Sequence, residues 1–360
     1  MTACSPPITF IINSGRCGST ALSEVLRSHP RVLSLSEFFR LIGIHALAPG
    51  QCTGREFWRL LSEPRPHITA MLRYRVEPAE IIYPVDAPGR FNRASGVPAV
   101  SAVALPHLTS DPDRLLDELH EYTVSLPVQT RPDHFRSLFA WLCTRFGRDI
   151  VVERSGGSLH MLGDLRRAFP EARFVHLYRD GHRVAVSMSG HTGYRLWVLA
   201  QDADRSVHPE TIIDDLGERV LSGELPGEQE LARMTTAERT GKLLRAMRFP
   251  VDQPRLPVWR FGVLWTAMVS LGTAELAALG ANRLLNVDFD GLLVDPASQL
   301  GRIDRFLQAP ALRCSRWPVL AAELLRPDAK DWRAGLTDVE RRRLEIACRP
   351  GMKLLYGRAA

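Results

Sequence analysis

Residues 8–20, ITFIINSGRCGST, constrain the fold more than any other part of the chain. An apolar β-type run breaks into a short glycine-containing loop, and the loop opens a helical pattern over residues 19–27. A strand that feeds a helix through so short a loop is the first half of a parallel βα unit. Backbone N–H groups at the start of such a helix converge on an anion, and the helix dipole favours it. The widespread ATP- and GTP-binding loop of this kind ends in Gly-Lys-Ser/Thr. Here that lysine is absent, and Arg16 precedes Cys17-Gly18-Ser19-Thr20.

Residues 8–13, 32–35, 150–153, 173–178 and 284–289 read as strands. They are apolar almost throughout, the pattern of a parallel sheet buried on both faces. Helical patterns over 19–27, 158–169 and 181–189 lie between or after them. Strand and helix in alternation predict one α/β domain over 1–360, a doubly wound parallel sheet flanked by helices and P-loop NTPase-like. Residues 131–148 form an amphipathic helix with Phe135, Leu138, Phe139, Leu142 and Phe146 on one face. Residues 40–130, rich in Pro, Gly and Arg, and the polar stretch 190–258, with short helical pieces such as 228–247, break the rhythm. They are expected as irregular or helical insertions capping the active site. The run 261–274 is too short to span a membrane and reads as a buried helix.

Charge narrows the partners. Only three of the 46 basic residues are lysine, so the +6 balance is carried by arginine, whose fork suits phosphate and sulfate. The arginines form no basic tail or stripe, which argues against nucleic acid. Six cysteines lie far apart without CxxC or zinc spacing. Free thiols, a reducing cytoplasm and no metal site are therefore expected, and no secretory leader is evident.

Ligands of a doubly wound sheet bind beyond the carboxyl ends of its strands. Past the first strand lie Ser14-Gly15-Arg16, past the second Glu37, past the third Arg154, and past the fourth Arg179-Asp180. Gly15 and Gly18 allow close backbone approach, and Ser19 and Thr20 offer hydroxyl and N–H donors. Cys17 reads as a spacer contributing its N–H, with a helix-start nucleophile as the alternative. Ser187 stands two helical turns beyond Arg179, so guanidinium and hydroxyl can clamp one isolated phosphate.

These residues resemble the sulfotransferases that use 3′-phosphoadenosine 5′-phosphosulfate (PAPS). The resemblance implies that Arg16, Cys17, Gly18, Ser19 and Thr20 bind the 5′-phosphosulfate. It assigns Arg179 and Ser187, within FVHLYRDGHRVAVSM, to the 3′-phosphate. FDGLLVDP at 289–296 and DWRAGLT at 331–337 are further echoes, and the recognisable parts are 8–40, 148–190 and 284–345. Cys17 replaces the usual Ser, Asp288 a common Arg, and Arg154 a common Lys.

Sulfuryl transfer needs a base for the acceptor and cations for the departing phosphate. One branch of the family places a His after the third strand, where this chain has Arg154-Ser155-Gly156. The branch resembling tyrosylprotein and bacterial glycolipid sulfotransferases places a Glu after the second strand, which corresponds to Glu37 in HPRVLSLSE. Glu37 is then the expected base and Arg154 the leaving-group cation. His107 is the alternative base, His29 a turn residue, and Arg333 an added anion contact. The implied reaction moves a sulfuryl group from PAPS to a hydroxyl or amine, releasing PAP. A glycan, a lipid-linked sugar, a small metabolite or a tyrosyl peptide remain open as acceptors. Two rival readings are a P-loop kinase or NTPase and a non-catalytic nucleotide-binding protein that kept the fold.

Overall fold

The computed structural model describes residues 5–249, 256–307, 316–326 and 331–357. The expected free thiols of Cys4 and Cys314, and parts of the stretches 190–258 and 284–345, lie outside the described residues; Cys17, Cys52, Cys143 and Cys348 are free.

Five strands build the central sheet: β1 (Ile8–Ile12), β2 (Val32–Ser36), β3 (Ile150–Arg154), β4 (Arg173–Tyr178) and β5 (Leu284–Asp288). Their order is β2-β3-β1-β4-β5, and every pairing is parallel. All five residues of β1, β2 and β3 are buried, which is why these segments read as apolar almost throughout, with Ser34, Ser36, Glu153 and Arg154 among the polar exceptions. Phe10 in β1 holds the sheet to its cover through ring contacts with Phe39, Phe169 and Phe174 at 5.2–6.0 Å.

The helices that matter here are α1 (Ser19–Arg27), α2 (Phe38–Ile42), α3 (Pro66–Arg73), α4 (Arg131–Phe146), α5 (Gly181–Ser189), α6 (Thr192–Ala203), α7 (Pro209–Leu221), α8 (Val258–Leu276) and α9 (Asp338–Tyr356). From β1 the chain crosses to β2 on one side, and from β4 to β5 on the other. The crevice of this doubly wound sheet therefore opens between the carboxyl ends of β1 and β4. The expected buried helix at 261–274 is α8, but it is two-faced: Trp265 is 1% exposed, whereas Val263 and Leu271 are about half exposed. Among the described residues no helix is long and apolar enough to cross a membrane.

The stretches expected as insertions are largely helical. Leu41, Ile68 and Met71 from the first share a second apolar cluster with Leu196, Ile213 and Leu243 from the second. Gly217 of α7 lies so close to α3 that a Cβ there would sit 2.5 Å from the backbone nitrogen of His67. Arg65 and His67 on one side, with Glu210 and Asp214 on the other, add charged pairs across the same crossing.

Candidate active site

The loop between β1 and α1 has a fixed shape. Gly15 and Gly18 have φ of 80° and 88°, and Arg16 between them is also left-handed at 56°. A side chain is barred at both glycines: a Cβ on Gly18 would strike the Phe289 ring, and one on Gly15 the Tyr194 hydroxyl. Asn13, at the end of β1, ties the loop to its neighbour. Its Oδ1 accepts from Gly15 N at 2.7 Å and Gly157 N at 3.3 Å, and its Nδ2 donates to Ser155 O at 2.9 Å.

A cavity of about 390 Å³ opens above this loop. Arg16, Gly18, Ser19, Thr20, Arg179 and Ser187 line one end, together with Glu37 and Arg154. Arg16 Nε donates to Ser187 Oγ at 3.1 Å, joining two motifs that lie 171 residues apart in the chain. Arg179 is 7% exposed, donates from Nε to Asp290 at 2.9 Å and stacks over Phe289 at 5.2 Å. The neighbouring Asp180 is occupied elsewhere, capping α5 by accepting from His182 N and Arg183 N, each at 3.0 Å.

Cys17 does not line the cavity. Its thiol is buried, donates to Leu177 O at 3.6 Å, and is pushed up to about 12 by burial, which removes the nucleophile alternative. His107 also faces elsewhere, toward Glu24 at 3.3 Å. His29 fills its turn, 1% exposed and 3.2 Å from Asp304. Arg333 is more than half exposed, stacks on Trp332, and does not line the cavity.

Glu37 sits at the N-cap of α2 with φ 53°, yet its carboxylate makes no capping bond. It turns instead to Arg154 Nη1 and to the Gly156 N–H, the latter at 2.9 Å. Arg154, 2% exposed, also donates to Ser36 Oγ at 3.2 Å. Capping of α2 falls to β3 and its loop: Glu153 accepts from Phe39 N at 3.3 Å, and Ser155 Oγ accepts from Arg40 N at 3.0 Å. Ser155 in turn donates to Glu153 at 2.6 Å. Burial pushes the Glu153 carboxyl up to about 7. These two residues release Glu37 from the capping role its position would otherwise demand.

Glu80, carried by the first insertion, reaches back to the loop. It pairs with Arg16 and lies 3.5 Å from His191. Burial opposes its charge, but His191 and Arg16 outweigh burial and hold the carboxyl down to about 2. Glu80 and Asn13 escaped the sequence reading. The lone asparagine closing an apolar run was a usable signal for Asn13, whereas Glu80 is placed only by tertiary packing. Among the described residues no group of three or more His, Cys, Asp or Glu is arranged to hold a metal ion.

Fold and site together define an α/β protein whose strand ends converge three arginines and a carboxylate on one cavity. The sequence from residue 7 to 210 matches the model of the sulfotransferase family, and the chain belongs to that family. Among solved structures it is similar to a sulfotransferase domain from the curacin biosynthetic pathway, at 15% identity and a TM-score of 0.44 over 93% of this chain and 82% of that one. A sulfotransferase domain from the olefin synthase of Synechococcus PCC 7002 is 17% identical, with a TM-score of 0.40 over 99% and 90%. Sulfotransferase STF9 from Mycobacterium avium is 15% identical, with a TM-score of 0.41 over 98% and 78%. No curated protein matches the sequence.

Proposed function

We propose that the protein transfers a sulfuryl group from PAPS to an acceptor hydroxyl or amine, with PAP as the leaving group. The observation that carries this reading is the Arg16–Ser187 hydrogen bond, which brings the two anion-binding motifs into one cavity beside Glu37. The donor set fits such a ligand: guanidinium forks with serine and threonine hydroxyls suit phosphate and sulfate oxygens. Arg16, Gly18, Ser19 and Thr20, with the Cys17 N–H, would hold the 5′-phosphosulfate, and Arg179 and Ser187 the 3′-phosphate. The donor supplies an activated sulfuryl group whose departing phosphate gains negative charge.

Glu37 would take the acceptor's proton as the oxygen or nitrogen attacks sulfur. Arg154 and the Gly156 amide orient that carboxylate, and Arg154 would add positive charge near the departing phosphate. The sheet with its helical cap forms the proposed single domain, with the residues of 40–130 and 190–258 shaping the acceptor side. A cytoplasmic setting is proposed with it, since PAPS is an intracellular donor.

The test compares ligands by thermal shift and calorimetry. PAP should stabilise the protein, and ATP with Mg²⁺ should not. Arg179→Ala should weaken PAP binding by about 1.5–3 kcal/mol, the range for hydrogen bonds to charged groups. Stabilisation by ATP alone would favour a kinase or NTPase. PAP binding without product from any acceptor would favour a nucleotide-binding protein that lacks catalysis.

A further inference from the structure

The loop after β1 carries a contact from the cap that has no part in the chemistry described so far. Tyr194, in the first turn of α6, lines the cavity and sets its hydroxyl against that loop. A Cβ on Gly15 would strike the hydroxyl oxygen, and one on Gly157 would lie 3.4 Å from it. Asn13 Oδ1 gathers the amides of these same two glycines. The hydroxyl therefore rests on the seam between the Arg16 loop and the Gly156–Gly157 loop. Glu37 lies against the adjacent glycine, where a Cβ on Gly156 would meet its Oε1 at 3.2 Å. The His191 ring, three residues earlier and 5.2 Å away, braces the Tyr194 ring edge-on. The phenol is thus fixed between the loop that carries Arg16 and the loop that orients Glu37.

Its hydrogen-bonding capacity is barely used. Among the described residues the hydroxyl donates only to Ser14 O, at 3.4 Å, whereas an ordinary O–H···O bond is about 2.7–2.8 Å long. A latch serving only to hold the cap on the loop would close that distance. Burial, and after it the charge of Glu37, push the phenol above its ordinary range, and Arg40 and Arg16 pull the other way without offsetting them. The hydroxyl keeps its proton and remains a donor. An anionic oxygen beside Arg16 offers that donor a shorter, charge-assisted bond than the Ser14 carbonyl does.

Resting on the proposed sulfuryl transfer, we propose that Tyr194 is a further catalytic residue, its hydroxyl donating to an oxygen of the transferring sulfuryl group. The acceptor oxygen or nitrogen bonds to sulfur as the bond from sulfur to the phosphate oxygen breaks. The electron pair of that bond leaves with the phosphate, and the acceptor's proton passes to Glu37. Tyr194 keeps its own proton throughout and contributes orientation, holding the sulfuryl group toward the acceptor. The cap then completes the donor end of the site, and a glycine at 15 is what admits the hydroxyl.

PAPS and PAP differ by the sulfuryl group alone, so calorimetry with each, without acceptor, isolates this contact. Tyr194→Phe keeps the ring and its packing against His191. In this variant PAPS affinity is expected to fall about tenfold, the loss of one hydrogen bond to a charged group, while PAP affinity stays within about twofold of native. Intact PAP affinity also reports that the loop has kept its shape. Equal losses for PAP and PAPS would mean that Tyr194 only supports the loop, and unaltered PAPS affinity that it does not touch the sulfuryl group; either overturns the proposal. The native protein tests the underlying reading in the same titrations. If it binds neither ligand, sulfuryl transfer from PAPS falls and takes the tyrosine's role with it. If it binds both and Tyr194→Phe changes neither, the tyrosine's role falls alone.

Discussion

Neutralising Glu37 separates its two jobs, partner of a buried cation and proposed base. Arg154 and the Gly156 amide donate to different oxygens of Glu37, so Glu37→Gln keeps an oxygen for one of them, turns an NH2 toward the other and loses the proton-accepting charge. PAP affinity should stay near that of the native protein while turnover falls about 10²-fold or more. Glu37→Ala instead leaves Arg154, 2% exposed, with Ser36 alone, and should cost about 3 kcal/mol of stability. Rapid-quench assays and thermal melts report the two effects independently; native turnover in Glu37→Gln would rule out the base role. Glu80 acts in the opposite sense. Its carboxylate occupies the Arg16 fork that the donor would need, so the donor must displace it. Glu80→Gln should therefore tighten PAP binding about threefold to fivefold, the effect of a partly exposed ion pair worth ~0.6–1 kcal/mol. Weaker PAP binding in this variant would mean that Glu80 supports the loop rather than competing for it.

At the scale of elements, the sheet was legible and the cap was not, for a physical reason. Strands buried on both faces, as β1 to β3 are, leave nearly continuous apolar runs, and the five runs read from the sequence match β1 to β5 within a residue at each end, although β5 is a half-exposed edge strand. The cap helices α6 and α7 bury narrower stripes, and their N-caps are His191 and His208, outside the usual Ser, Thr, Asp and Asn. The stretch 190–258 therefore read as irregular, although the Thr235–Glu238 capping box marks one helix start plainly. The site divides the same way. Arg16, Arg154 and Arg179 were found because strand ends mark them, whereas Tyr194 meets Gly15 only once the cap closes on the sheet. The crossing of α3 and α7 is the joint that makes this closure. A methyl group at Gly217 would press on the His67 backbone, which cannot rotate away. Gly217→Ala should cost about 1–3 kcal/mol and raise the acceptor KM while PAP affinity holds. Melting curves with PAP calorimetry check both; a variant as stable as the native protein would show that the two helices are not in close contact.

Across the whole molecule, buried titratable groups pull stability in opposite directions with pH. His29 and His176, 1% and 3% exposed, are held neutral by burial, with His176 lowered to about 4. Below about 6.5 the unfolded chain binds protons at these positions that the folded one refuses, so stability drains as the pH falls toward 4. Glu153 works against this trend. Its carboxyl ionises near 4.5 when exposed but near 7 in the fold, where burial disfavours the charge. Between those values the folded protein holds a proton that the unfolded chain has lost, and this group penalises folding increasingly as pH rises through the window. The full penalty is on the order of 3 kcal/mol above pH 7 and vanishes below about 4.5. Glu153→Gln removes the titration but keeps an oxygen for Phe39 N and Ser155. The stability of the variant relative to the native protein should thus rise by roughly 2–3 kcal/mol between pH 5 and pH 8. The native fall in stability from pH 7 to pH 5 should steepen once this opposing group is gone. Urea unfolding at the two pH values measures the change directly. An equal difference at both would mean that Glu153 is already ionised in the fold at pH 5, and that the N-terminus of α2 is capped by a full negative charge.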